Sequence, residues 1–127
     1  MLVAGLILVG VAALFHIYIF VLESLRWTAP GTRRAFGVRT EEEAEILKTM
    51  AFNQGFYNLF LAIMVIIGLI LYLAAETVVG ATLIFAGAGA MVLAAVVLVV
   101  SSPRLVGAAL LQGLAPLQGI IFLAIGL

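Results

Sequence analysis

The sequence predicts an all-α fold, a four-helix transmembrane bundle with up-down-up-down topology and both termini outside. Three observations support it. Hydrophobic residues make up 66% of the 127 residues and charged residues only 9%, four segments are long enough to cross a bilayer, and short connections join most of them. Soluble domains average about 45–50% apolar and about 25% charged residues. We therefore expect one integral membrane domain, residues 1–127, with the lipid bilayer as its main partner.

Four predicted spans follow one another along the chain. A helix needs about 20 apolar residues to cross a hydrocarbon core of roughly 30 Å, and the segments that qualify are residues 2–25, 48–73, 77–100 and 104–126. The connections "AAE" and "SSPR" are so short that they force antiparallel neighbours. The first span lacks a basic n-region and is too long for a signal peptide, so we expect it to be retained. Strands are excluded because the alternation of a membrane barrel is missing.

The basic residues predict the orientation of the bundle. Four arginines lie in the loop of about residues 26–47, Lys48 follows it directly, and Arg104 lies between the third and fourth spans. Because cytoplasmic loops carry an excess of Lys and Arg, both of these loops are expected in the cytoplasm and both termini outside. The expected location is the bacterial plasma membrane, as a multi-pass protein.

Local signals place the helix starts. "TEEE" from Thr40 matches a capping box, so the second long helix is expected to begin about two turns before its span. In "SSPR", Ser102 is expected at an N-cap and Pro103 at the first helical position. Within the long loop, "APG" predicts a turn, and Trp27 is expected at the interface with its N–H in contact with water.

Polar residues gather in the half of the bundle nearest the basic loops. Rises of about 1.5 Å per residue place them at similar depths on three spans, and amides in lipid are costly unless they turn inward. We therefore predict a polar, ligand-binding pocket lined by His16, Glu23, Asn53, Gln54, Tyr57, Asn58 and Gln112. The alternative is that these side chains only form hydrogen bonds between helices. Arg33, Arg34 and Arg39 are topology determinants or contacts for an anionic group.

Other classes of function lack support in the composition. The net charge is zero, with six basic and six acidic residues, so no nucleic-acid partner is expected. The absence of cysteine excludes disulfides and thiol chemistry. One histidine and one glutamate in the same span are too few ligands for a metal site, and no cofactor motif is present. "GAGA" at Gly87–Ala90, together with Gly80, predicts close helix packing within the bundle or between copies.

Three motifs carry a resemblance to a known family. "HIYIFVLESLRW", "RRAFG" and "FNQGFYNLFLA" resemble a bacterial family of small four-span membrane proteins of unknown function, whose members are sometimes labelled "epimerase". The resemblance covers nearly the whole chain and implies a four-helix integral membrane fold without an established activity. A fainter likeness of topology is to the membrane-associated eicosanoid and glutathione metabolism superfamily. The glutathione-binding R-x-x-x-N-x-x-E-N pattern of that superfamily is not reproduced around Asn53 and Asn58.

Three hypotheses for function remain. The first is a small transporter or channel component whose pocket holds a small polar or amphipathic solute, and it implies a homo-oligomer. The second is a small membrane enzyme acting on a lipophilic or anionic substrate, with Glu23 or His16 as acid or base and the arginine loop on the anionic group. The third is a lipid-binding or accessory subunit.

Overall fold

Helices account for nearly the whole chain. A computed structural model describes residues 1–127, and its five α-helices are α1 (Leu2–Phe20), α2 (Pro30–Ala35), α3 (Glu41–Leu73), α4 (Thr77–Ser101) and α5 (Val106–Gly126). A π-helical turn, Val21–Leu25, continues α1, and a 3-10 turn, Pro103–Leu105, precedes α5. The segments long and apolar enough to span a membrane are Leu2–Leu25, Glu41–Leu73, Thr77–Ser101 and Pro103–Gly126. The predicted all-α fold with four membrane-spanning helices is confirmed.

The four long helices form a ring. α1 packs against α3 and α5, and α4 packs against the same two helices, whereas α1 and α4 lie diagonally opposite and make few contacts. The side chains at the centre are mostly small, which lets the helices approach closely. The buried core consists of Val9, Ala12, Ala13, Ala62, Val65, Ile84, Ala88, Met91 and Leu123.

Glycines set the closest approach between α3 and α4. A Cβ on Gly80 would lie 2.7 Å from the carbonyl oxygen of Gly68 and would also meet the backbone nitrogen of Tyr72. A Cβ on Gly87 would lie 2.7 Å from Cγ2 of Val65. The predicted packing role of Gly80 and Gly87 is therefore confirmed. In the same "GAGA" run, Gly89 has open space around it and takes no part in this contact.

Residues 26–40 and 102–105 lie at one end of the ring, which we name the basic end. The predicted turn at "APG" is wrong, because Ala29 is the N-cap of α2 and Pro30 is its first residue. The expectation that the Trp27 N–H contacts water is also wrong. Trp27 is buried, and its Nε1 donates a hydrogen bond to the carbonyl oxygen of Ala44 at 2.9 Å. The indole therefore fastens the loop to the first turn of α3.

The start of α3 agrees with the capping signal. Thr40 Oγ1 accepts a hydrogen bond from the backbone N–H of Glu43 at 3.0 Å. The Glu43 carboxylate accepts one from the backbone N–H of Arg39 at 2.9 Å, one residue before the usual capping-box donor. At the other connection, Ser102 holds the N-cap position and Pro103 the first position of the 3-10 turn, but the Ser102 side chain makes no capping hydrogen bond.

Candidate functional site

The π-helical turn at the end of α1 holds the one buried carboxylate of the chain. Its register is marked by the hydrogen bond from the backbone N–H of Arg26 to the carbonyl oxygen of Val21, 3.0 Å long. Glu23 lies in this turn and is only 8% exposed. Such turns are rare and occur mostly as short insertions in α-helices, frequently at functional sites. The π-helical turn therefore makes Glu23 a candidate functional residue.

Two hydrogen bonds join this turn to α3. The Asn58 Nδ2 donates to Glu23 Oε2 at 2.8 Å, and the Ser24 hydroxyl donates to the carbonyl oxygen of Phe52 at 2.8 Å. Gly55 lies between these contacts, and a Cβ there would lie 3.0 Å from the backbone nitrogen of Ser24. The absence of a side chain at Gly55 is what lets α3 come close enough for Asn58 to reach Glu23.

A cavity of about 720 Å³ adjoins this polar pair. All four spans contribute to its wall, and Ala35 at the end of α2 lines it at the basic end. Most of the wall is apolar, and its polar side chains are Glu23, Gln54, Asn58, Ser101 and Gln112. The apolar side chains are Phe15, Tyr18, Ile19, Leu22, Ala35, Phe36, Ala94, Val97, Leu98, Leu105, Ala108 and Leu111. The cavity falls within the range of roughly 300–1,000 Å³ that is usual for small-molecule sites.

The cavity opens at the side of the bundle. Tyr18 on α1, Val97 on α4 and Leu111 on α5 line it and yet are 55%, 64% and 69% exposed, so they lie at its rim. α5 is the neighbour of both α1 and α4 in the ring. All three residues belong to membrane-spanning segments, so this opening faces the region that lipid occupies.

The cavity is closed toward the end of the bundle opposite the basic end. On α1 it reaches from Glu23 to Phe15, eight residues or about 12 Å of helix. One turn beyond Ala94 on α4 lies Met91, which is completely buried in the core. The small core residues then fill the ring, so the cavity ends about half-way through the bundle.

Comparison with known proteins places the chain in a family. A family model described as protein of unknown function (DUF1304) matches residues 10–124. The chain belongs to this family. No curated protein and no solved structure matches the chain. Membership of DUF1304 confirms the resemblance to a four-span membrane family of unknown function and assigns no activity to it.

Within this DUF1304 protein, four of the seven predicted pocket residues share the cavity wall. They are Glu23, Gln54, Asn58 and Gln112. His16 is buried outside the cavity, where its Nδ1 donates a hydrogen bond to the carbonyl oxygen of Ala12 at 2.9 Å. No group of three or more His, Cys, Asp or Glu side chains lies close enough to hold a metal ion.

The other two predicted residues, Asn53 and Tyr57, do not turn inward. Both are exposed, and Tyr57 is 65% exposed. Each lies two residues from Gly55, which faces α1, and a helix turns by about 100° per residue. The two side chains therefore lie on the face of α3 opposite its packing face. The expectation that Asn53 and Tyr57 turn inward to line the pocket is therefore corrected.

The predicted arginines lie at the basic end but not on the cavity wall. Arg33 forms an ion pair with Glu41 at 3.5 Å, while its Nε is buried without a partner. Arg34 and Arg39 are exposed. On this side the wall is instead formed by Ala35 and Phe36, which follow Arg34 directly.

Sequence reasoning missed the large apolar and aromatic side chains that α1 contributes to the wall. Phe15, Tyr18 and Leu22 are spaced i, i+3 and i+7, which places them on one face of α1. The signal was present in this spacing, but a stripe of large apolar residues in a membrane span is equally compatible with contact to lipid.

Proposed function

We propose that this protein binds a small amphipathic molecule in the cavity at the basic end. The observation that carries the proposal is the position of Glu23 on the wall of an otherwise mostly apolar cavity. A molecule with one polar and one apolar part would satisfy both kinds of wall.

One carboxylate oxygen of Glu23 has no hydrogen-bond partner in the protein and can accept a hydrogen bond from such a ligand. Its Oε2 accepts one hydrogen bond from a neutral amide, Asn58, and no protein group bonds to Oε1. Oε1 is not among the buried side-chain atoms that lack a hydrogen-bond partner, so a molecule in the cavity can reach it. A ligand that donates a hydrogen bond to Oε1 would satisfy it, and Gln54 and Gln112 supply further polar contacts.

Binding fits this geometry better than catalysis or conduction. Of the two proposed acid or base residues, Glu23 lines the cavity, but His16 is bonded to its own helix and lies off the cavity. The arginines lie outside the wall. A channel would need a path through the packed core around Met91 and Ala88, both of which are completely buried. We therefore favour a binding site over the enzyme hypothesis, and any transport would require the bundle to rearrange.

Filling the cavity tests the proposal. In Ala108→Phe the new ring would occupy the cavity, whereas Ala124→Phe places the same ring on an exposed position of the same helix. Small molecules released from protein purified out of membranes would be identified by mass spectrometry. We expect a compound present in near-stoichiometric amount with the unmodified protein and with Ala124→Phe, and depleted from Ala108→Phe. If no compound follows that pattern, the cavity is not a binding site for a resident ligand.

The cellular setting belongs to the same proposal. We propose a multi-pass protein of the bacterial plasma membrane with the basic end in the cytoplasm, as the charge distribution indicates. In this orientation the cavity lies in the cytoplasmic half of the bilayer. A homo-oligomer is also proposed, since Gln118 is an exposed amide within a helix long and apolar enough to span a membrane.

A further inference from the structure

We propose that the molecule bound in the cavity is a compact lipophilic cation. This inference rests on the proposed function and specifies the class of ligand. It follows from the charge, the aromatic residues and the opening of the cavity.

Charge is the first argument. The ion pairs of the chain are Arg33 with Glu41 and Lys48 with Glu45, so no basic side chain pairs with Glu23. A buried carboxylate is costly unless a positive charge accompanies it. A cationic ligand would supply the missing charge beside Asn58.

No other charged side chain lines the cavity. The basic residues nearest in sequence to its wall are Arg34 and Arg104, which directly precede the wall residues Ala35 and Leu105. Both arginines are exposed, and the guanidinium of Arg104 lies beside Gly37, with its Nη1 3.5 Å from the position of a Cβ there. Glu23 is therefore the only acidic or basic side chain of the wall, and its ionised form carries the charge opposite to that of the proposed ligand.

Aromatic side chains provide the second argument. Phe15, Tyr18 and Phe36 line the cavity together with Glu23. The faces of aromatic rings attract cations, and the attraction is strongest where water is excluded. A wall that combines one carboxylate with three aromatic rings suits a cation whose charge is surrounded by apolar groups.

The opening and the size of the cavity narrow the class of ligand further. The rim at Tyr18 and Leu111 faces the lipid region, so a ligand dissolved in the bilayer reaches the cavity directly. At roughly 30 Å³ for each water-sized group, the cavity holds on the order of twenty such groups. It extends only about 12 Å along α1, so a compact molecule fits better than an extended chain.

The test uses two ions of the same shape and opposite charge. Binding of radiolabelled tetraphenylphosphonium and, separately, of tetraphenylborate would be measured by equilibrium dialysis on the full chain in detergent. The variants are Glu23→Gln, Ala108→Phe and the control Ala124→Phe. Glu23→Gln keeps an oxygen that accepts the hydrogen bond from Asn58, so it removes the charge with little change in shape. The helical circular dichroism of each variant verifies its fold.

We expect saturable binding of tetraphenylphosphonium, at about one ion per chain, to the unmodified protein and to Ala124→Phe. In Glu23→Gln the dissociation constant should rise by about 30-fold or more, because one partner of a buried charge pair is removed. Ala108→Phe should abolish binding, and tetraphenylborate should not bind in the cavity.

Two results would overturn the inference in distinguishable ways. In the first result, Ala108→Phe loses binding, but both ions bind equally well, or Glu23→Gln binds tetraphenylphosphonium as tightly as the unmodified protein does. This result would retain the binding site and reject its selectivity for cations. In the second result, tetraphenylphosphonium does not bind saturably, or it binds Ala108→Phe as tightly as the unmodified protein, and no resident compound is depleted from Ala108→Phe. This result would reject both the cation and the proposed function.

Discussion

Asn58 and Glu23 are joined by a hydrogen bond of 2.8 Å between Nδ2 and Oε2, and this bond connects α3 to the π-helical turn of the first span. The two residues are 35 positions apart in the sequence. The bond holds a carboxylate at the wall of a cavity in the interior of a membrane bundle. It is the contact on which the candidate site depends.

Removal of the Asn58 amide should destabilise the bundle. In Asn58→Leu the carboxylate of Glu23 loses its only side-chain partner, and we expect a loss of about 1–3 kcal/mol in the free energy of unfolding. Asn53→Leu is the matched control, because Asn53 is exposed on the opposite face of α3 and should change stability little. Unfolding in detergent, followed by circular dichroism, measures both. The double variant Glu23→Leu with Asn58→Leu should recover part of the loss, and strict additivity of the two single variants would contradict the proposed pairing.

Substitution of Gly80 by alanine should disrupt the contact between α3 and α4. The added Cβ would meet backbone atoms of Gly68 and Tyr72, which cannot move without separating the helices. We expect a destabilisation of about 1–3 kcal/mol, typical of overpacked interiors. Gly89→Ala on the same helix adds its Cβ in open space, and its thermal midpoint in detergent should stay the same or rise. Equal midpoints for the two variants would be incompatible with the packing described here.

Trp27 should control the mobility of the loop at the basic end. Trp27→Phe removes the hydrogen bond to the carbonyl oxygen of Ala44 while most of the contact with Phe36 is kept. The segment should then open more often, since a lost hydrogen bond costs about 1 kcal/mol. Trypsin should cleave after Arg34 roughly five times faster than in the unmodified protein. An unchanged cleavage rate would show that the bond to Ala44 does not hold the loop.

The absence of cysteine makes the orientation of the chain directly measurable. A single cysteine can be introduced at Gly31, which is exposed with open space around it, or at Glu76, which is exposed in the connection at the opposite end. In intact bacterial cells a membrane-impermeant maleimide should label Glu76→Cys, and should label Gly31→Cys only after permeabilisation. The reverse pattern would place the basic end outside and contradict the prediction from charge.

Gln118 should contribute to self-association. It is an exposed amide within a membrane-spanning helix, where an unpaired amide is costly, and a second copy could satisfy it. In Gln118→Leu we expect dimerisation to weaken by about 0.6–2 kcal/mol, as measured by energy transfer between labelled chains in lipid vesicles. Energy transfer that is no greater in the unmodified protein than in a monomeric membrane control would reject the homo-oligomer.

The fold was largely predictable because lipid leaves few choices. The four spans follow from hydropathy, and the start of α3 follows from Thr40 and Glu43, which cap it through short-range hydrogen bonds. The bond of Trp27 to Ala44 was not predictable, because it depends on how residues 26–40 fold back onto α3. The sequence pattern alone predicted that the Trp27 N–H contacts water instead.

The candidate site was predictable in part. The depths of Glu23, Asn58 and Gln112 along their spans correctly predicted that they lie on the wall of one cavity. Antiparallel neighbours align residues of similar depth. Rotation of α3 about its axis was not fixed by the sequence, since polar residues occur on both sides of Gly55. The packing of Gly55 against Ser24 decides the rotation and turns Asn53 and Tyr57 outward. The π-helical turn also had no sequence signal.

The most direct test of the binding site is a crystal structure with a heavy-atom ligand. Tetraphenylarsonium has the shape and charge of tetraphenylphosphonium, and its arsenic atom gives an anomalous signal. Crystals grown in lipid in its presence should show an arsenic peak inside the cavity, beside the carboxylate of Glu23. A cavity filled by the protein's own side chains, with no arsenic peak in it, would contradict the account.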